Sequence, residues 1–496
     1  MNIQKIATKT IPIGIDLGTT VSCVCAYIND KINPIIINDN ILIPSYIDIN
    51  TNKIGYEVKK NITKNTFYNI KRFLGKQYND NQLQQDLKYC PFKTKNINNE
   101  LYFCCNDTDY TITDIDSLFL KQLKIKTEEY LKTSVNDCVI TVPAYFNNNQ
   151  REITKKAGEL AGWNVLQIIN EPTSASLAYN LLENKKEKQN VLIFDFGGGT
   201  LDITILEIID NVIEIKTSNG DNHLGGNDID NNILQYCLTQ FIKQNNLQSE
   251  TKNILQNKHL LQQLKLKCEE IKIILSSIDN GFISYKKFYH NLDLNININK
   301  DIFIKINSNI FNKCSNLIIE TLKQIDFDSI NITDVIFIGG STRIPKIYEI
   351  LQTQFPNANL HNKIDPDISV AYGACIHCNN LINNNTENFL VDVISHNIGI
   401  SIKDNNYNDE ITHILIKKNT IIPYSFTEYF TTTYDNQKVL KIKIYEGDDL
   451  LTKNNLLIKE IIIDNIPSKN AGEYIVKVTL SIDNNNILNT IVQKLT

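Results

Sequence analysis

Short apolar runs, each closed by an aspartate and then glycine, mark both ends of the first half of this 496-residue chain. Ile13-Gly14-Ile15 leads into Asp16-Leu17-Gly18-Thr19-Thr20. Val191-Leu192-Ile193-Phe194 leads into Asp195-Phe196-Gly197-Gly198-Gly199-Thr200-Leu201-Asp202. Runs of this length predict buried strands. From residue 11 to about 380, strand-like and helix-like patterns alternate, which predicts an α/β unit. Val135 to Val142 reads as a strand, and Asn149 to Gly162 and Ser174 to Leu182 as helices. Residues 255–275 have a helical period, with Leu261, Leu264, Ile271 and Leu275 on one face. Asp334 to Ile338 is a further buried strand, ending in Gly339-Gly340-Ser341.

The texture then changes. Leu381 to Asn388 is a polar, Asn-rich break, followed by the apolar Phe389-Leu390-Val391-Asp392-Val393. From about residue 395 the period is two. Strands are predicted at His413 to Lys417, Phe426 to Thr433, Val439 to Glu446, Glu460 to Ile463 and Tyr474 to Ile482. Turn residues such as Gly447-Asp448-Asp449 and Asp483-Asn484-Asn485 separate them. The expected boundaries are residues 1–385 for the α/β domain, 386–394 for a linker and 395–496 for an all-β domain.

Composition narrows the function classes. A net charge of −5 gives bulk charge no role in binding nucleic acid or a membrane, and neither partner is expected. Eleven irregularly spaced cysteines do not form a disulfide framework. No signal-peptide core follows Met1, and no apolar run of about 18 residues predicts a membrane span. The chain ends Gln493-Lys494-Leu495-Thr496, which is not an endoplasmic-reticulum retention signal. A reducing, cytoplasmic compartment is the expectation. Asparagine runs such as Asn383-Asn384-Asn385 are read as a general bias of the sequence rather than as function.

The two glycine loops carry chemistry. Glycine lets successive N–H groups turn toward one concavity, which binds an anion. An aspartate beside it can hold a hydrated Mg²⁺ that also takes phosphate oxygens. Two such loops, about 180 residues apart, suggest a duplicated fold gripping one nucleotide from both sides. No Gly-x-x-x-x-Gly-Lys-Ser/Thr occurs, so the site must be assembled from separate loops. The candidates are Asp16 with Gly18, Thr19 and Thr20; Asp195 with Gly197, Gly198, Gly199 and Thr200; and Gly339, Gly340 and Ser341.

These loops sit in a longer series of motifs. It includes Thr141-Val142-Pro143-Ala144-Tyr145-Phe146, Asn170-Glu171-Pro172-Thr173, His223-Leu224-Gly225-Gly226, Gly339-Gly340-Ser341-Thr342-Arg343-Ile344-Pro345 and Asp435-Asn436-Gln437. With them the chain resembles the seventy-kilodalton heat-shock chaperone family over nearly its whole length. The resemblance implies an actin-like, duplicated nucleotide-binding domain followed by a β-sandwich that binds peptide. It implies ATP or ADP with Mg²⁺, with K⁺ as a further candidate. Lys71, in Ile70-Lys71-Arg72-Phe73-Leu74-Gly75, matches the catalytic lysine. Asp16, Glu171 and Asp195 match the acidic set around Mg²⁺ and water, with Thr200 and Asp202 beside it. Gly225 and Gly226 match phosphate-side glycines. Glu269, Lys272 and Ser276 match the adenosine-side helix, and their spacing puts them on one face. Arg343 and Asp367 match the remaining adenine- and ribose-side contacts.

The resemblance extends to coupling and clients. Residues 389–393 match the interdomain linker, with Leu390, Val391 and Asp392 at its centre, and Pro143 and Arg151 match the relay to it. Ile400, Ile402, Phe430, Leu440 and Ile442 match the peptide groove; inward-facing positions of a sandwich core would show the same pattern. Thr433 matches one side of an arch over the peptide. The implied partners are extended client polypeptides, a J-domain co-chaperone and a nucleotide exchange factor. Departures are Val21 after Thr19-Thr20, Asn227 where an acidic residue usually follows the glycines, Lys403 on the arch's other side, and Ile394-Ser395-His396-Asn397 in place of a Thr-Pro. Nothing after Leu488 resembles the helical lid, which would raise the peptide off-rate.

Cys375-Ile376-His377-Cys378 invites a zinc reading, but no second ligand pair lies at suitable spacing, and buried cysteines of a helix explain it better. The expected function is an ATP-dependent chaperone whose slow hydrolysis sets peptide affinity. The rival is a non-cycling, co-chaperone-like relative that binds ATP and a partner. A sugar kinase of the same fold has no place for the linker and β domain.

Overall fold

A computed structural model describes residues 10–88, 90–183, 188–209, 212–361, 365–385, 389–403 and 409–495. Its first part is built on two sheets with one strand plan. In one, the order is Asn164–Asn170, Asp137–Val142, Ile13–Asp16, Val21–Ile28 and Lys31–Pro34. In the other it is Asn359–His361, Asp334–Ile338, Gln189–Phe196, Leu201–Ile209 and Val212–Asp221. In each, the first three strands are parallel and the last two return antiparallel. Asp16 and Asp195 therefore occupy equivalent places, near the end of the central strand, just before the glycine turn. Ile13, Ile15 and Val191 to Phe194 are fully buried, as expected of parallel strands covered on both faces. Two helices, Glu171–Glu183 and Ser369–Asn383, pack on each other, and the second also lies against strand Ile13–Asp16.

The long helix expected over 255–275 is two helices, Thr251–Gln256 and Lys258–Leu275. Asn257 stands at the break, and its side chain accepts the Leu260 N–H at 3.1 Å, capping the second helix. Two elements go beyond the expectation. Asn280–Tyr289 and Leu292–Asn299 form an antiparallel hairpin that buries Ile283, Leu294, Ile296 and Ile298. Leu488–Leu495 is a further strand. The asparagines gain a local account too. Fourteen of them, among the described residues, sit at positive φ, often paired in hairpin turns such as Asn98-Asn99 and Asn106-Asp107. Asparagine tolerates this left-handed backbone better than most side chains, and tight hairpins require it.

The second part is a pair of packed antiparallel sheets. One has the order Glu410–Ile416, Ile398–Lys403, Leu440–Glu446, Leu456–Ile463; the other has Tyr424–Thr431, Ile475–Ile482, Leu488–Leu495. Ile398, Ile400, Ile442, Ile444, Val476, Val478 and Leu480 fill the space between them. The strand expected to end at Thr433 ends at Thr431.

The joining segment is itself a strand. Phe389–Val391 pairs in parallel with Val212–Glu214, extending the second sheet by one edge. The sandwich then rests on the first part through hydrogen bonds. The Asn148 N–H donates to Glu446 Oε2 at 2.9 Å, and the Leu488 N–H to Asn148 Oδ1 at 2.7 Å. The Ile168 N–H donates to Asn485 Oδ1 at 2.9 Å. The Ser395 hydroxyl donates to the Ala144 carbonyl.

Candidate nucleotide site

Lys71 lies on a short 3₁₀ turn, Ile70–Phe73, entered through Asn69 in the left-handed region at φ 56°. Its side chain is only 4% exposed. Nζ donates to the Leu17 carbonyl at 2.5 Å and to Glu171 Oε1 at 2.6 Å, and lies 5.4 Å from the Phe146 ring centroid. A buried ammonium needs such partners, because desolvation is otherwise uncompensated. Glu171 opens helix Glu171–Glu183, where the helix dipole favours its negative charge.

Around this pair the carboxylates outnumber the cations. Asp16 is pushed up to about 7 by burial and then by Glu171, with Lys71 and the Thr141 hydroxyl, 3.2 Å away, pulling it back. Asp202 is likewise raised to about 7 by burial and Glu171, although it accepts the Tyr145 N–H at 2.9 Å. Asp195 is raised by burial, Glu171, Asp202 and Asp16. Asp202 Oδ2 is buried without a hydrogen bond. A set of hard, desolvated oxygen donors with one lysine among them fits a hydrated Mg²⁺, whose charge would offset their mutual repulsion.

The two hairpins meet at this point. A Cβ on Gly198 would lie 2.4 Å from the Thr20 side chain, and one on Gly199 would lie 2.6 Å from that of Thr19. The Gly226 and Asn227 N–H groups donate to the Gly197 and Gly198 carbonyls at 3.0 and 2.8 Å, and the Ser341 hydroxyl to Gly197 at 2.8 Å. A Cβ on Gly225 would come within 2.5 Å of the Gly198 carbonyl oxygen, a backbone atom that cannot swing aside. Gly225→Ala is therefore expected to spread the cradle and weaken ATP binding about tenfold or more, roughly the factor carried by 1.4 kcal/mol. Titration calorimetry checks this; unchanged affinity would show the loop to be tolerant.

Asp16, Gly18, Thr19, Thr20, Lys71, Glu171, Asp195, Gly197 to Thr200, Gly339, Gly340 and Asp367 line one continuous cleft. It runs on past Glu269, Lys272, Ser276, Ser341 and Arg343. Val21 lies in the wall of both stretches, and Asn227 lines the second. The Asn227 side-chain nitrogen is buried without a hydrogen bond. The charged groups of the outer stretch are paired. Glu269 pairs with Lys59 at 2.7 Å, and Lys272 with Asp230 at 2.9 Å. Arg343 pairs with Asp367 at 2.7 Å and Asp365 at 2.9 Å. Arg72, beside Lys71, bonds Asp228 on the opposite side of the cleft. The sequence motifs gave no sign of the pairings made by Lys59, Arg72, Asp228 and Asp230, because each partner lies far along the chain.

Comparison with known proteins decides the lineage. The family model described as "Hsp70 protein" matches residues 12–495. The chain is 36% identical to Heat shock cognate 70 kDa protein 3 of Dictyostelium discoideum, over 96% of this chain and 77% of the relative. It is 35% identical to Heat shock 70 kDa protein 2 of Paracoccidioides lutzii and to a Heat shock 70 kDa protein of Emericella nidulans, again over 96% of this chain and about three-quarters of each relative. The chain belongs to the Hsp70 family.

The doubled sheets are accordingly the actin-like nucleotide-binding fold of the Hsp70 family, and the packed sheets after the joining strand are its β-sandwich. Membership places the chain among chaperones that bind ATP. No helix among the described residues is long and apolar enough to cross a membrane.

Between the two Hsp70 units lies the remaining set of residues. Pro143 follows the strand that bears Thr141, and Arg151, in the first turn of helix Asn148–Leu160, is fully buried. Arg151 donates to the Phe146 carbonyl at 3.1 Å and the Ala144 carbonyl at 2.9 Å. Asp392 accepts from Asn170 Nδ2 at 2.9 Å and the Thr173 hydroxyl at 3.2 Å, the residues that flank Glu171. Burial raises Asp392, while the Val393 N–H and Arg151 hold it down. Leu390 packs against the core behind the second sheet, and Val391 pairs with Glu214. Among groove candidates, Ile400, Leu440 and Ile442 are buried in the sandwich core, whereas Ile402 and Phe430 are half-buried at its margin. Thr433 lies beyond the strand, where its N–H and hydroxyl donate to Gln437 Oε1 at 2.8 and 3.3 Å. The Lys403 side chain lies outside the described residues. Cys375 and Cys378 are buried on helix Ser369–Asn383.

Proposed function

We propose that residues 1–385 bind and slowly hydrolyse ATP, that 386–394 transmit the nucleotide state, and that 395–496 hold extended, apolar stretches of unfolded polypeptide. The observation that carries this reading is Lys71, held by Glu171 at the point where the Asp16 and Asp195 hairpins converge. Asp16 and Asp195 would hold Mg²⁺ through water, and the ion would supply charge neutralisation at the phosphate oxygens. The glycine loops bind and orient the phosphates through backbone N–H groups. Lys71 places positive charge where the γ-phosphoryl charge develops, and with Glu171 and Thr200 it orients the attacking water. Glu269, Lys272, Ser276, Arg343 and Asp367 position the nucleoside.

Two features support coupling to the sandwich. Asp392 reaches the residues on either side of Glu171. The peptide-side candidates Ile402 and Phe430 belong to the sandwich that rests on this domain. Extended clients, a J-domain co-chaperone and an exchange factor are the partners this reading brings. The test is release of a labelled extended apolar peptide, followed by fluorescence anisotropy after ATP is added. Release is expected to speed up about tenfold or more, which corresponds to a coupling of roughly 1–3 kcal/mol. Release that ignores ATP would favour a co-chaperone that binds nucleotide without cycling clients.

A further inference from the structure

A second, smaller cavity shares Gly18, Thr19 and Lys71 with the nucleotide cleft. Its other walls include Ser45, Phe67, Phe119 and Asp116. Asp116 comes from helix Ile112–Leu131 and is only 5% exposed. Its Oδ2 atom is buried without a hydrogen bond. A carboxylate in that position costs the fold free energy unless it is neutral or faces a cation. The cation that lines the same cavity is Lys71, whose ammonium has three protons and uses two of them on Leu17 and Glu171.

We propose that Asp116 is a positioning residue for Lys71, a second carboxylate that holds the ammonium back from the phosphate end of the cleft. Charged groups on nearby elements are engaged elsewhere. Arg72, next on the same turn, is turned to Asp86 and Asp228. Asp48, on a neighbouring strand, is held by the Thr51 and Thr63 hydroxyls. Lys53 pairs with Glu57, and Arg151 donates to the Ala144 and Phe146 carbonyls. Burial pushes the Asp116 carboxyl up to about 7, and Lys71 opposes that rise. The restraint is therefore weak below neutrality, where the carboxyl is protonated, and strong above it. Ionised Asp116 takes part of the Lys71 field away from the γ-phosphoryl group, so the hydrolytic step slows as pH rises. This inference rests on the ATPase reading for its kinetic part only.

The first measurement uses the full chain without nucleotide. The ¹⁵Nζ resonance of Lys71, identified by its loss in Lys71→Ala, is followed from about pH 6 to about pH 8.5. In the wild type it is expected to shift near neutrality by clearly more than in Asp116→Asn, where only Asp16 and Asp202 still titrate beside the lysine. The second is single-turnover hydrolysis of Mg·ATP over the same range. The wild-type rate is expected to fall about fivefold on going up, while Asp116→Asn stays near the wild-type low-pH rate, a change of the size a nearby charge makes in a partly screened site. Asp116→Ser, which is smaller and uncharged, should behave as Asp116→Asn does and covers the case in which the first variant folds poorly. Parallel pH profiles in wild type and both variants, or a Lys71 resonance that titrates equally in all three, would overturn the proposal. A wild type that hydrolyses nothing, with the resonance shift intact, would overturn the ATPase reading instead.

Discussion

Lys71→Ala is expected to abolish ATP hydrolysis while leaving ATP bound. The lysine lines the inner cleft where the two hairpins converge, and its ammonium is already desolvated. In such a site a fixed positive charge stabilises the developing phosphoryl charge far more than it would in water. Its removal should lower the single-turnover rate on the order of a hundredfold to a thousandfold. Affinity should change much less, because in the proposed reading the phosphates are held chiefly by backbone groups of Gly18 to Thr20 and Gly197 to Gly199. The variant also strands Glu171 among Asp16, Asp195 and Asp202. Removing one member of a buried ion pair costs about 3–5 kcal/mol, so a lower melting temperature without nucleotide should accompany the loss of rate. Mg·ADP should restore much of that stability by mass action. Equal hydrolysis rates in wild type and variant would remove Lys71 from the chemistry.

Asp392→Ala is expected to separate the two ends of the molecule. Wild-type peptide release should respond to ATP; release from the variant should stay within about twofold of its nucleotide-free rate, with hydrolysis retained. The geometry behind this is short. Asp392 grips Asn170 and Thr173, and Glu171, between them, holds Lys71. Alanine leaves two donors without their acceptor at the foot of the joining strand, at a cost of about 1–3 kcal/mol, comparable to a whole allosteric coupling. Asp392→Asn keeps one acceptor oxygen in the same volume and should sit between the two. Stopped-flow release and single-turnover hydrolysis on the same samples would check both halves. A variant whose release still accelerates in ATP would show that the signal travels by another route.

Legibility in the sequence followed the range of each interaction. The glycine loops could be read because strand, aspartate and turn are contiguous. The duplication could be read from their repetition, and the strand orders of the two sheets bear it out. Glu269, Lys272 and Ser276 could be placed on one helix face, but their partners could not. Lys59 meets Glu269 from 210 residues away, and Arg72 meets Asp228 from 156. Such pairs leave no local pattern. The hairpin strand Leu292–Asn299 did have one, since Leu294, Ile296 and Ile298 alternate with asparagines. It was hidden by the abundance of Asn and Ile elsewhere. Asn257 shows the opposite problem: a helical period continues across it, while its backbone N–H closes one helix and its side chain caps the next. Of the groove candidates, Ile400, Leu440 and Ile442 satisfied an inward pattern because they belong to the sandwich core. Period two cannot tell a core from a pocket.

The strand Phe389–Val391 has a bearing on solubility. It covers the Val212–Glu214 end of a sheet edge, where Val212 is 40% exposed even with its neighbour in place. An uncovered edge offers a row of unpaired N–H and C=O groups to any extended chain nearby, a second copy included. The joining segment thus guards this edge. In the proposed coupling, a conformation that freed it would also be one in which the protein must keep its own sheets from sticking to one another.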